Sequence, residues 1–85
     1  MERSGPRIRA NHWEQEALLS LLRAIRTEAG LRQIDLAEAL RVPQSYVSKY
    51  ESGERRLDAL ELRAVCQAVG IGLAVFGRRL DDLLN

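Results

Sequence analysis

Apolar residues recur at helical spacing in five stretches of the chain, separated by glycine, proline or polar residues. In the first stretch they fall three or four positions apart, which is the period of a helix buried along one side. Its apolar positions are Leu18, Leu21, Leu22, Ile25 and Ala29. Asn11 and Glu14 have the spacing of a capping box, and Gly30 suits the left-handed position that commonly follows a helix. The pattern therefore predicts a first helix from Asn11 to Gly30.

Four further helices follow from the same kind of pattern. The second covers about Gln33–Leu40 and the third about Gln44–Glu51, with residues 41–43 as the turn between them. The fourth covers Asp58–Val69 and the fifth covers Leu73–Leu84. Leu and Ala are abundant, whereas β-branched and aromatic residues are few, so the predicted fold class is all-α.

Helices four and five carry extensive apolar surface. Helix four is apolar over most of its circumference, so we expect it to be buried on more than one side. The apolar stripe of helix five either packs back onto helices one and four or forms an interface with a second copy of the chain. We favour an interface formed by helix five and the outer side of helix four, and therefore a homodimer. The residues expected at it are Leu73, Phe76, Leu80 and Leu83.

Helix three is polar along one side. Its inward residues are Val47 and Tyr50, three positions apart, and the side chains that point away from them are those of Gln44, Ser45, Ser48 and Lys49. Gln can pair with adenine, Lys with guanine and Ser with several bases in the major groove of DNA. The alternative is the ordinary solvent-facing side of an amphipathic helix.

Short motifs at fixed separations mark residues 22–72. They are Leu22-Arg23-x-x-Arg26, Gly30-Leu31-x-Gln33-x-x-Leu36-Ala37, Val42, Val47-Ser48-x-Tyr50-Glu51-x-Gly53, Leu62 and Val69-Gly70-Ile71. This segment resembles the Cro/repressor (Xre-type) helix-turn-helix family of bacterial and phage DNA-binding regulators. The resemblance implies a compact five-helix, lambda-repressor-like domain over residues 11–85, with its helix-turn-helix at helices two and three.

The resemblance also implies roles for individual residues. The expected readers of DNA bases are Gln44, Ser45 and Lys49. The expected contacts to DNA phosphates are Gln33, Arg32, Tyr46, Ser48, Arg55 and Arg56. For Tyr46, contact with a phosphate or a thymine methyl group stands beside simple packing. Arg26 and Glu51 are expected to form a structural ion pair between helices one and three, and Tyr50 is expected in the core with its hydroxyl reaching the rim.

One position departs from the family in a way that bears on stability. Arg32 stands where the family usually has Ser or Thr as the cap of helix two. Loss of that cap is expected to cost about 1 kcal/mol.

The formal net charge is only +1, from 13 Lys and Arg against 12 Asp and Glu, so no strong basic field surrounds the chain. Residues 1–10 hold three arginines and form a predicted flexible basic arm, either a solvated tail or a segment that contacts DNA. With so little charge, one copy is not expected to bind a specific site unaided. Two copies can read a two-fold symmetric operator.

These observations predict a homodimeric transcriptional regulator, expected to be a repressor, whose partner is double-stranded DNA. The alternatives are a restriction–modification controller, an antitoxin with a toxin partner, and a protein-interaction adaptor that has lost DNA binding. His12 is isolated and Cys66 lies in an apolar run, so no catalytic, metal or cofactor site is expected. Without an apolar run long enough for a membrane span or a signal peptide, the expected location is the cytoplasm.

Overall fold

Five α-helices make up the computed structural model, which describes residues 11–85. They are α1 (His12–Glu28), α2 (Gln33–Leu40), α3 (Gln44–Ser52), α4 (Ala59–Ala68) and α5 (Leu73–Leu84). Each helix begins and ends within two residues of its expected position, and the all-α prediction is confirmed. The basic arm predicted for residues 1–10 lies outside the described residues.

Local side-chain chemistry explains where α1 and α4 begin. The Glu14 carboxylate accepts a hydrogen bond from the backbone N–H of Asn11 at 2.8 Å. At the start of α4, Asp58 accepts from the backbone N–H of Glu61 at 2.7 Å, and Glu61 accepts from that of Asp58 at 2.9 Å. These bonds satisfy amides that have no partner within the helix.

At the start of α2, Asp35 provides hydrogen bonds in the absence of a Ser or Thr cap. The Asp35 carboxylate accepts a hydrogen bond from the backbone N–H of Arg32 at 2.8 Å, and it also accepts two from the Arg32 guanidinium, at 2.9 and 3.0 Å. These bonds lower the pKa of Asp35 to about 2. Part of the expected loss at position 32 is therefore offset by a residue three positions along the helix.

The core lies where all five helices meet. α2 packs on α3, α1 packs on both α3 and α5, and α4 packs on α2 and α5. The buried apolar residues are Leu19, Leu21, Leu22, Ile25, Leu36, Ala37, Val47, Tyr50, Val65, Cys66 and Phe76. Cys66 is fully buried, and desolvation raises the pKa of its thiol. The cysteine therefore behaves as a small apolar core residue.

α4 differs from the expectation that it would be buried on more than one side. Val65 and Cys66 face the core, but Leu60 is 78% exposed and Ala64 is exposed as well. The apolar residues around this helix thus do not all reach a partner within the chain, because α2 and α5, which pack on it, leave Leu60 and Ala64 uncovered.

α5 requires a correction to the predicted interface. Phe76 is only 1% exposed and belongs to the core, and Leu80 packs against that core. Leu73 and Leu83 remain exposed. The helix does pack back onto α1 and α4, and the Arg79 guanidinium binds the Glu28 carboxylate of α1 at 2.9 and 2.8 Å. Phe76 is therefore unavailable to a second copy.

Candidate nucleic-acid interface

The α2–turn–α3 unit is fixed by a shared apolar contact and a tight turn. Leu36 and Ala37 of α2 and Val47 of α3 are each at most 1% exposed. Arg41 ends α2 in the left-handed conformation, with φ of 59°, and the N–H of Val42 donates to the carbonyl of Ala37 at 3.0 Å. The two helices are thereby held as one helix-turn-helix unit.

The three predicted base readers share the outer side of α3 with Ser48, a predicted phosphate contact. Gln44, Ser45, Ser48 and Lys49 are all exposed. Val47 and Tyr50 on the opposite side are buried. Within residues 11–85, the side chains of these four polar residues form no hydrogen bond to the rest of the chain. Their donors and acceptors are therefore available to a ligand.

A buried charge cluster sets the position of α3. The Arg26 guanidinium of α1 donates two hydrogen bonds to the Glu51 carboxylate of α3, at 2.6 and 2.9 Å. A third, from Nη1, reaches the carbonyl of Leu31 at 2.9 Å. Glu51 is 2% exposed, and its hydrogen bond raises the pKa of Arg26. Removing either partner would leave a buried charge without compensation, which is costly.

Gln33 joins the same cluster from α2. Its side-chain amide donates to the Glu51 carboxylate at 3.1 Å. The side chain that was expected at a phosphate is therefore already bonded within the chain. Gln33 is the first residue of α2, where backbone N–H groups have no preceding helical carbonyl to bond. A phosphate contact at Gln33 would therefore use its backbone N–H and the second N–H of its amide.

A second polar cluster connects α3 to the segment after it and to α4. One oxygen of the Glu61 carboxylate accepts from the Arg55 guanidinium at 2.7 Å and from the Tyr46 hydroxyl at 3.2 Å. The guanidinium also lies over the Tyr46 ring, 4.4 Å from its centre. We call these three residues the Tyr46–Arg55–Glu61 cluster. The hydrogen bonds from Arg55, with the backbone N–H of Asp58, lower the pKa of Glu61 to about 2.

Sequence reasoning did not assign Glu61 a place in this site. Its only signal was its position as the third residue of α4, where it was expected to pair with Asp58. The Tyr46 ring packs edge to face against that of Tyr50, at 5.9 Å between centres, and its contact with DNA stays a prediction. The other two predicted phosphate-binding arginines, Arg32 and Arg56, are exposed.

Tyr50 requires a further correction. The side chain is 1% exposed, and within the described residues its hydroxyl has no hydrogen-bond partner. Burial raises the pKa of this hydroxyl above its ordinary value. The hydroxyl therefore does not reach the rim as expected.

Comparison with known proteins decides the family. A helix-turn-helix family model matches residues 22–76, which include all of α2, α3 and α4. An Xre-family-like protein from Pseudomonas syringae pv. tomato str. DC3000 is 38% identical, with 86% of this chain and 89% of that one covered, and a TM-score of 0.78. The chain belongs to the Xre family of helix-turn-helix proteins. Membership of this family supports a role in DNA-binding regulation of transcription.

Two other solved structures share the fold of this Xre-family chain. The clp gene regulator ClgR from C. glutamicum is 28% identical, with 98% of this chain and 100% of that one covered, and a TM-score of 0.72. The restriction–modification controller protein C.Esp1396I is 23% identical over 87% of this chain and 95% of its own, with a TM-score of 0.77. Comparison with curated protein sequences finds no significant match.

Among residues 11–85, no group of three or more His, Cys, Asp or Glu side chains is arranged to hold a metal ion. No single helix in the same part of the chain is both long and apolar enough to cross a membrane.

Proposed function

We propose that this Xre-family protein is a sequence-specific transcriptional repressor that acts as a homodimer on a two-fold symmetric operator. The observation that carries the proposal is the outer side of α3, where Gln44, Ser45, Ser48 and Lys49 are exposed and unbonded within residues 11–85. A buried cluster of Arg26, Glu51 and Gln33 holds the same helix rigidly. Polar side chains on the exposed side of a rigidly held helix are suited to recognition in the major groove.

In this proposal the first turn of α3 enters the major groove. Gln44 pairs with an adenine and Lys49 with a guanine, because the first has a donor and an acceptor and the second has only donors. Ser45 contacts an adjacent base edge. Each good pair is worth about 1–3 kcal/mol of discrimination against the wrong base.

The DNA backbone is contacted by groups around α3. Arg32, Arg55 and Arg56 provide guanidinium groups, Gln33 provides N–H donors at the start of α2, and Ser48 provides a hydroxyl. Tyr46 is partly exposed beside these groups; its ring lies 4.4 Å from the Arg55 guanidinium and its hydroxyl donates to Glu61, so a contact of this hydroxyl with a phosphate would compete with that bond. Such contacts set affinity and its dependence on salt, and they carry no direct sequence information.

Dimerisation compensates for the small net charge of +1. Two copies place two recognition helices about 34 Å apart, one turn of DNA, and thereby double the number of contacts. Leu73 and Leu83 of α5 and Leu60 of α4 are exposed large apolar residues that fit an interface between copies. An operator that overlaps a promoter would then exclude polymerase when the dimer binds.

Selection of bound sequences from a random duplex pool tests this function. We expect a two-fold symmetric consensus whose half-sites lie about 34 Å apart. Gln44→Ala and Lys49→Ala should each relax one or two positions of the half-site. Arg56→Ala, a matched change at a proposed phosphate contact, should weaken binding to all sequences alike. Failure to enrich any sequence would contradict the proposal, and so would an Arg56→Ala variant with altered base preference.

A further inference from the structure

The Tyr46–Arg55–Glu61 cluster suggests a role for a residue that is not itself expected to touch DNA. We infer that Glu61 withholds Arg55 from DNA phosphates and so lowers the affinity of the protein for every duplex. The inference rests on the proposed DNA binding, because it concerns how strongly one of the proposed phosphate contacts is made.

Three contacts fix the Arg55 guanidinium. It donates to the Glu61 carboxylate at 2.7 Å and to the carbonyl of Arg56 at 3.2 Å, and it lies over the Tyr46 ring. A flexible arginine can follow a phosphate as the protein docks. A guanidinium held at three points meets a phosphate only where the cluster places it, or after leaving the cluster.

Glu61 also neutralises the charge on Arg55. Its carboxylate is 2.7 Å from the guanidinium, while the two side chains are 38% and 30% exposed. A phosphate offers the same kind of acceptor as this carboxylate, so the two compete for the same N–H groups. An arginine already paired with a carboxylate brings little net charge to DNA and releases few counterions from it.

The position of Glu61 makes it a fixed competitor. Its second oxygen accepts from the backbone N–H of Asp58 at 2.9 Å, and that bond belongs to the start of α4. The carboxylate therefore cannot rotate away without uncapping the helix. Glu61 acts through Arg55 and is a positioning residue.

The variant Glu61→Gln removes the charge that pairs with Arg55 but keeps the cap of α4. The glutamine amide oxygen can still accept the Asp58 N–H, because Glu and Gln both serve at this position of a capping box. The matched control is Glu54→Gln. Glu54 is exposed and immediately precedes Arg55 in the segment between α3 and α4. Its substitution removes the same charge, and within residues 11–85 its side chain forms no hydrogen bond to Arg55.

The experiment measures binding to a random-sequence duplex over a range of salt concentrations. Glu61→Gln should tighten binding about two- to fivefold, the range expected for an exposed ion pair. It should also steepen the plot of log affinity against log salt by up to about 1. In the Arg55→Gln background the effect of Glu61→Gln should fall to that of Glu54→Gln, because only the loss of one negative charge remains, whereas the effect of Glu54→Gln should be the same in both backgrounds.

A second measurement needs no DNA. NMR of the free protein should show separately resolved Arg55 guanidinium N–H signals in the wild type, because three contacts slow rotation of the group. In Glu61→Gln these signals should merge. Thermal unfolding of the same samples should show that the variant is folded.

The outcomes separate this inference from the proposed function. Weaker binding by Glu61→Gln would mean that Glu61 presents Arg55 to the phosphate, and would overturn the inference alone. Equal effects of Glu61→Gln and Glu54→Gln in both backgrounds would mean that Glu61 affects binding only through its net charge. That result would also overturn the inference but not the proposed function. A wild-type protein that binds no duplex at all would overturn both.

Discussion

At the scale of single residues, the effect of a buried polar group on stability depends on whether it has hydrogen-bond partners. Glu51 is almost wholly buried, yet its carboxylate accepts three hydrogen bonds from Arg26 and Gln33. Tyr50 is buried to the same degree, but its hydroxyl has no partner within residues 11–85. The first group stabilises the fold around α3, and the second costs free energy there.

Tyr50→Phe should therefore raise the free energy of unfolding, by about 1 kcal/mol, because it removes a buried hydroxyl without a bond. Chemical denaturation measures the change. Tyr46→Phe is the matched control, since its hydroxyl donates to Glu61 at 3.2 Å. That variant should be destabilised, and an equal loss in both variants would mean that the Tyr50 hydroxyl is bonded in solution.

At the scale of the helices, the turn between α2 and α3 holds a residue in an unfavourable backbone conformation. Arg41 has φ of 59° and is the one non-glycine residue with positive φ among residues 11–85. A side chain in the left-handed region costs about 1–2 kcal/mol, and glycine has no such cost. The turn of the helix-turn-helix unit is thus less stable with Arg41 than it would be with glycine at this position.

Arg41→Gly should raise the free energy of unfolding by about 1 kcal/mol or less, after allowing for the greater flexibility of glycine in the unfolded chain. Arg41→Ala removes the same charge but keeps the Cβ atom, so it should give no comparable gain. Equal stabilisation by both changes would mean that the gain comes from loss of the charge and not from the backbone conformation.

The sequence predicted the bounds of the helices better than the sides they bury. Helix ends depend on nearby residues, such as Asp58 with Glu61 or the glycine at position 30, and these are readable in order along the chain. Burial of Phe76 and exposure of Leu60 depend on which helix lies alongside, which no periodicity reveals. The Tyr46–Arg55–Glu61 cluster escaped prediction for the same reason, because it joins α3, α4 and the segment between them.

At the scale of the whole molecule, ion pairs join separate elements of the fold. Arg79 binds Glu28 between α5 and α1, and Arg55 binds Glu61 across the segment after α3. Hydrogen bonds from arginine lower the pKa of Glu28, and they lower those of Asp35 and Glu61 to about 2. These carboxyl groups have ordinary pKa values near 4 when the chain is unfolded.

Acid should therefore destabilise the protein. Between about pH 5 and pH 2 the unfolded chain binds more protons than the folded one, so the free energy of unfolding falls as pH falls through this range. Thermal unfolding at a series of pH values measures the trend. Asp35→Asn should flatten it, because one titrating group is removed, and a protein that gains stability below pH 4 would contradict the assignment.

The proposed homodimer also belongs to the scale of the whole molecule. Since Phe76 and Leu80 serve the core, the exposed Leu73 and Leu83 are the residues of the α5 stripe left for a second copy. Leu83→Lys should lower the mass in solution from dimer to monomer. Val75→Lys is the control, because Val75 is 49% exposed on the same helix but lies off the stripe. A wild-type protein that is monomeric at tens of micromolar would rule out the dimer.

The outer side of α3 has a consequence for how binding preference changes. The side chains at positions 44, 45, 48 and 49 form no hydrogen bond within residues 11–85, while the residues that hold the helix, Val47, Tyr50 and Glu51, are buried. Substitutions at those four positions therefore leave the folding energy nearly untouched, since surface changes away from such features are worth about 0.5 kcal/mol or less. If α3 reads DNA as proposed, a combinatorial library at the four positions would yield proteins that bind new operators on an unchanged scaffold.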